Sequence, residues 1–213
     1  MMNAGKGRWG EIKMNSRVIA ELILHLGRIA SGDGLVAGLT PVQWAALRYF
    51  ARANRFSSTP SAYAAFQGTT RGTVSQTIKG LVDQGFLKQS RSEADGRSTN
   101  LDLTDKARAL VAKDPFDALV RAADALPPGV RGSFSVILQR VLGRVASEMG
   151  KPLFGTCENC AHFEGGGCCK EGLPAYVCSL MNEPLTKEEL DELCINFTPW
   201  KSSHPATINV GLA

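Results

Sequence analysis

The first 156 residues contain no cysteine, and no stretch of the 213 is a long unbroken apolar run. The second absence argues against a membrane span, and a mean hydropathy of −0.07 with 44% hydrophobic residues argues against disorder. The start, MMNAGKGRW followed by EIKMNSR, has no apolar core or small-residue cleavage site, so a cytoplasmic protein is expected. No nucleophile, base and orienting group assemble from the sequence, so an enzyme is not expected.

All six cysteines, Cys157, Cys160, Cys168, Cys169, Cys178 and Cys194, fall within 38 residues. Charge divides the chain at the same place. Residues 1–156 carry 21 Lys plus Arg against 12 Asp plus Glu, whereas residues 157–213 carry 3 against 8. A body of net charge +9 suits a polyanionic partner; a tail of −5 would be repelled by phosphates and has a separate task.

The hydropathy pattern predicts a mainly helical body. Apolar residues at threes and fours from Glu11 to Ala30 mark an amphipathic helix that contains His25, to which no role is assigned. Thr40-Pro41 caps a second helix, and a polar stretch with Ser57, Ser58 and Thr59 follows. Thr59-Pro60 opens a short third helix ending at Gln67-Gly68, and Thr69-Thr70 opens a fourth. Two extended pieces around the tip RSEADGR then predict a hairpin. A helix is expected from Asp105 to about Ala125, where the Asp114-Pro115 step allows a bend, and another from about Val130 to Glu148. The surplus apolar faces at front and back suggest a homodimer.

Helix, tight turn, helix and a basic hairpin follow the winged-helix order. The runs LTPVQWAALRYF, TTRGTVSQTIKGLVDQGFL and DGRSTNLDLTDKA resemble the MarR family of winged-helix transcriptional regulators over roughly residues 12–149. Ala107 stands where that family usually has glycine. The fold class expected is mainly α, an α+β winged helix. A dimerisation helix would occupy 1–36, the winged helix-turn-helix 37–105, further dimerisation helices 106–150 and a metal-stapled module 151–213.

On the fourth helix, Thr70, Arg71, Thr73, Ser75, Gln76 and Lys79 carry the hydroxyl, amide and cationic groups that bind phosphates and read base edges. Arg71 and Gln76 are the base-reading candidates. At the hairpin tip, Asp95 can hold the guanidinium of Arg97, for which the resemblance implies a minor-groove role; Arg91 is a weaker candidate. The partner expected is an operator in double-stranded DNA.

In the tail, Cys157-x2-Cys160 is a single knuckle, whereas structural zinc ribbons present two. The run from Cys157-x2-Cys160-x-His162-Phe163 through Tyr176-Val177-Cys178 to Cys194-x-Asn196-Phe197-x-Pro199 resembles small cluster-binding accessory subunits of benzylsuccinate-synthase-type enzymes. That resemblance implies a four-iron four-sulfur cluster on Cys157, Cys160, Cys178 and Cys194, with Cys168 and Cys169 as alternates or a reactive pair. Zinc remains the alternative metal, with His162 an alternative ligand. Phe163, Tyr176, Phe197 and Trp200 would shield the site. Thr186-x-x-Glu189 is a capping box opening a short helix, TKEELDEL, with its acids solvated.

The function expected is a MarR-like regulator, a repressor by analogy, whose cluster senses redox state, oxygen or iron and acts by shifting the dimer helices. Two alternatives stand beside it: a regulator with a structural zinc and a small-molecule effector in the dimer cleft, and an electron-transfer or interaction protein that reuses the winged helix.

Overall fold

The computed structural model describes residues 15–31, 38–91, 99–165 and 175–200. The body begins with α1 (Ser16–Ser31), α2 (Pro41–Phe50), α3 (Pro60–Gln67) and α4 (Arg71–Asp83). Each of the last three has a threonine cap. Thr40 Oγ1 accepts from the Gln43 amide while the Gln43 side chain accepts from the Thr40 amide. Thr59 and Thr70 cap α3 and α4 from single hydroxyls. Gly68 closes α3 at φ 63°, a conformation that opposes side chains with a Cβ, and the chain turns at once into α4.

The hairpin pairs β1 (Leu87–Arg91) with β2 (Thr99–Leu103), antiparallel, with Leu87 opposite Leu103 and Arg91 opposite Thr99. Its tip lies outside the described residues. Leu87, Leu101 and Leu103 turn into a core shared with Trp44, Leu47, Tyr49, Tyr63, Ile78 and Leu81. The winged helix therefore closes its own core.

The helix expected from Asp105 to Ala125 is two helices, α5 (Asp105–Val111) and α6 (Asp117–Asp124). Pro115 removes a backbone donor, and Asp114 is drawn inward by Arg48 of α2. Arg48 Nε donates to Asp114 Oδ2 and Nη2 to Oδ1 at 2.6 Å, while the Phe116 amide bonds Oδ1 at 2.9 Å. The guanidinium also lies over the Trp44 and Phe116 rings, 5.7 and 5.5 Å from their centroids.

Helix α7 (Pro128–Glu148) starts two residues earlier, in the Pro-Pro-Gly run, than the pattern predicts, because Pro128 fits a first helical position. It and α1 leave their apolar faces in solvent: Leu22 is 52% exposed and Leu142 54%, and each helix buries a single alanine. Among the described residues, no helix is long and apolar enough to cross a membrane.

Beyond α7 the chain returns to the body. A small antiparallel sheet runs in the order β3 (Phe163–Gly165), β4 (Tyr176–Cys178), β5 (Glu183–Pro184). Sequence periodicity does not announce strands this short. The helix expected at TKEELDEL is a single 3-10 turn, Glu188–Asp191. Its capping box forms, with Thr186 N to Glu189 Oε2 at 2.8 Å. The turn does not extend because Arg52 takes the Asp191 carbonyl (2.6 Å) and the Leu193 amide bonds the Arg52 carbonyl (2.6 Å), pulling the chain into extended pairing.

Replacing Asp114 with alanine leaves Arg48 without its carboxylate in a largely buried place. A loss of about 3 kcal/mol in urea unfolding is expected, and a loss under about 1 kcal/mol would show that the aromatic contacts alone hold the guanidinium.

Candidate functional site

Two sets of side chains stand out, one on α4 and one where the tail meets the body. On α4, Val74, Ile78 and Leu81 face the core, which puts Thr70, Arg71, Thr73, Ser75, Gln76 and Lys79 on the exposed side. The first turn contains no carboxylate, and the only acid in the helix is Asp83 at its far end. Three of the hydroxyls have local duties. Thr70 Oγ1 accepts from the Thr73 amide and lies 3.1 Å from Thr73 Oγ1, and Ser75 donates to the Arg71 carbonyl at 2.8 Å. Among the described residues, no hydrogen bond or ion pair engages the side chains of Arg71, Gln76 or Lys79, so these three side chains are available for an external anion or base edge. Arg91 is exposed at the end of β1. Asp95 and Arg97 lie outside the described residues.

The second set is built by backbone pairing. Ala53 and Leu193 form a parallel bridge, with Asn54 N to Leu193 O at 2.9 Å. Cys194 pairs antiparallel with Gly155 (Cys194 N to Gly155 O, 2.9 Å), and Cys160 pairs with Pro199. Residues 193–200 are thereby threaded between the body and the first knuckle. Cys157, Cys160, Cys178 and Cys194 all line one cavity, together with Asn54, Phe56, His162, Phe163 and Asn196. Its internal volume is about 20 Å³, room for roughly one water as the side chains stand.

The structure thus brings together the four cysteines singled out by sequence, and all four are free thiols. Cys168 and Cys169 lie outside the described residues. His162 lies on the same cavity, its Nε2 3.1 Å from Thr198 Oγ1. Among the described residues, no group of three or more His, Cys, Asp or Glu side chains is arranged to hold a metal ion as it stands. The thiols share the wall of a cavity and do not converge on one point.

Burial pushes the Cys157 thiol up to about 11, with Cys194, Cys160, Cys178 and Glu189 adding repulsion. Cys194 is raised for the same first reason, opposed by hydrogen bonds from the Asn54 side chain and the Asn196 backbone. Four neighbouring thiols cannot all ionise cheaply unless a cation compensates them.

The aromatic shield is partly as expected. Phe163 lines the cavity and stacks with Tyr176 at 6.0 Å. Phe197 lies flat on Gly155, where an added Cβ would sit 2.7 Å from its ring carbons. Trp200 does not shield the site: its side chain is 66% exposed, although its amide bonds the Asn159 carbonyl beside Cys160.

The acidic charges of the tail are not simply solvated. Glu189 lies 3.4 Å from Arg55 Nε, Glu183 is 3.7 Å from Arg55 Nη2, and that guanidinium also donates to the Pro184 carbonyl at 2.7 Å. Part of the positive charge of the body is therefore spent on docking the tail. The residues missed by sequence reading are Asn54, Phe56 and Arg55, which sit in the polar connection between α2 and α3. Nothing in a polar loop 100 residues away signals a wall of a cysteine cavity.

The fold is that of a winged-helix protein with a cysteine-rich tail docked on it. Residues 37–98, which hold the helix-turn-helix and the start of the hairpin, match the model of the MarR family. The chain is similar in structure to a MarR protein from Peptoclostridium difficile, with a TM-score of 0.50 and 17% identity over 67% of this chain and 97% of that one. It is also similar to Streptococcus pneumoniae FabT in complex with DNA (TM-score 0.46, 19% identity, 62% of this chain and 93% of that one). A third similarity is to the S. aureus MepR-DNA complex (TM-score 0.47, 19% identity, 61% and 96%). No curated protein matches the chain.

Two outcomes check the thiol site. Because burial favours the neutral thiol, the metal-free folded state holds the Cys157 proton more tightly than the unfolded chain does. The associated stability is complete below pH 9.0, the ordinary value, and is lost as pH rises toward about 11. Urea midpoints of metal-free protein should fall over that window, and less steeply in Cys157→Ser; equal slopes would refute the assignment. Gly155→Ala should cost about 1–3 kcal/mol in the same assay, since Phe197 or the Cys194 backbone must move. An unchanged midpoint would mean the ring shifts freely.

Proposed function

We propose that the chain is a DNA-binding transcriptional regulator of the MarR type that works as a homodimer and whose DNA affinity is tuned by an iron-sulfur cluster on Cys157, Cys160, Cys178 and Cys194. The observation that carries the DNA reading is the face of α4. It is exposed, begins without a carboxylate and holds Arg71, Gln76 and Lys79 unengaged, within the segment that matches the MarR family. A recognition helix places such residues in the major groove, where a guanidinium or an amide makes two hydrogen bonds to one base. Arg91, Asp95 and Arg97 would serve the wing. The homodimer reading is supported by the apolar faces of α1 and α7, which a single copy leaves in solvent.

Support for the cluster is the shared cavity. Thiolates are the donors that iron-sulfur clusters take, and a polynuclear group needs them spread around a volume. A zinc ion needs them about 2.3 Å from one point. Bound there, the cluster would supply a redox-active and oxygen-labile centre. The residues that would hold it are the four cysteines of the knuckle, of β4 and of the extended 194 segment, with Phe163 and Phe197 limiting water.

Titration of labelled duplex from the promoter region of the protein's own gene tests the first part. Arg71→Ala should lose about 1–3 kcal/mol in a sequence-dependent way, while Lys79→Ala should weaken all duplexes alike and reduce the salt slope by about one. Wild-type binding by both variants would remove the assignment of α4. Anaerobic purification with visible absorption and metal analysis tests the second part. Brown protein with iron and sulfide in about four copies each per chain is expected. Colourless protein with stoichiometric zinc would establish the structural-zinc regulator in its place.

A further inference from the structure

Lys151 lies beyond α7 and outside the stretch that matches the family model, yet the fold carries it back to the turn between α3 and α4. Its backbone is fixed on both sides. Before it, Gly150 ends α7 in the left-handed region at φ 58°, and the Lys151 amide bonds the Ala146 carbonyl at 2.8 Å. Pro152 restricts the next step. After it, Phe154 packs edge-on against Phe66 of α3, with 4.9 Å between ring centroids, and Gly155 pairs with Cys194. The end of α7 and the docked tail thus hold Lys151 between two anchors.

The side chain reaches the turn itself. A Cβ added at Gly68 would sit 3.5 Å from Lys151 Nζ and 3.7 Å from Cε, so the ammonium lies over the residue that closes α3. There it is exposed, and among the described residues no hydrogen bond or ion pair engages it. The end of α3 does not hold it either: the Ala64 and Ala65 carbonyls are taken by the Thr69 and Gly68 amides. No Asp or Glu occurs from Gly34 to Val82, so α2, α3 and α4 up to its last residue offer this cation no carboxylate.

The exposed Thr69, Thr70 and Arg71 follow Gly68 directly. A recognition helix enters the major groove by its N-terminal residues, so the turn that leads into it comes to the edge of the groove, where the phosphates stand. A lysine at that place is a compact charge on a flexible stem. It suits a phosphate and lacks the paired donors that read a base edge.

We propose that Lys151 is a DNA-backbone contact, a phosphate ligand that the junction of α7 and the tail adds to the interface built by α4. The proposal rests on the DNA reading of α4 above and on no metal. It extends the interface past the helix-turn-helix and gives the docked tail a part in forming it.

The test uses the full chain, the labelled promoter duplex and a duplex of equal length and unrelated sequence, each titrated at about 50 and 200 mM salt. Lys151→Ala should weaken binding to both duplexes by similar factors. For each chain bound, the loss should be about threefold larger at the lower salt, because the slope of log affinity against log salt flattens by about 0.9. Lys151→Arg should restore affinity and slope. Wild-type protein that binds neither duplex overturns the reading of α4 and this inference with it. Wild-type affinity and slope in Lys151→Ala, beside a loss in Arg71→Ala, overturns the inference and leaves the reading of α4 standing.

Urea unfolding separates a contact from a brace. The midpoint of Lys151→Ala should equal that of the wild type; a lowered midpoint with an unchanged salt slope assigns Lys151 to bracing the turn and overturns the proposal. If Lys151→Ala does not fold, Lys151→Gln, which keeps most of the stem without the charge, takes its place, and the same flattening of the slope decides.

Discussion

The docking of residues 193–195 on the connector between α2 and α3 is the contact on which the arrangement of the molecule depends. It is made mainly by backbone. The Leu193 amide and carbonyl bond Arg52 and Asn54, the Ile195 amide bonds Ser57, and Arg52 and Arg55 cover the ends by taking the Asp191 and Pro184 carbonyls. Buried main-chain groups must find partners, and here each chain supplies what the other lacks. Without this seam the last cysteine would not meet the first two, because Cys194 is carried to Gly155 by the same extended stretch.

The seam also changes the meaning of the charge distribution. A basic front and an acidic tail suggest two independent surfaces, one for phosphates and one for solvent. In the fold, Arg52 and Arg55 are turned toward the tail and away from any polyanion, and Glu183 and Glu189 answer Arg55. Arg71 and Lys79 of α4, in contrast, stay exposed. Exposed ion pairs of this kind contribute little stability individually, so their value lies in setting which faces meet.

Local chemistry made much of the body legible. Threonine before proline or arginine, glycine at the end of α3 and the four-three spacing of Val74, Ile78 and Leu81 each state their structure within a few residues. The readings that differed involve long-range partners. Asp105 to Ala125 reads as one helix until Arg48, 66 positions before Asp114, takes its carboxylate. The box at Thr186 and Glu189 predicts a helix and forms as predicted, yet a single turn results because Arg52 claims the next carbonyl. Trp200 reads as a shield from its nearness to Cys194 in sequence, but while its backbone pairs beside Cys160 its ring is left in solvent.

The sequence by itself determined the winged-helix order, the exposed polar face of α4 and the identity of four cysteines that would share a site. Those properties follow from capping, periodicity and donor chemistry, which act over neighbouring residues. Only the tertiary structure decided what forms the rest of that site. Asn54 and Phe56 belong to a short polar loop with no local signature, and they become its wall because a hydrogen bond over more than 130 positions brings the Ile195 amide to the neighbouring Ser57 hydroxyl. The closure of so long a loop is favoured by the sum of many contacts, and no single stretch of sequence records that sum.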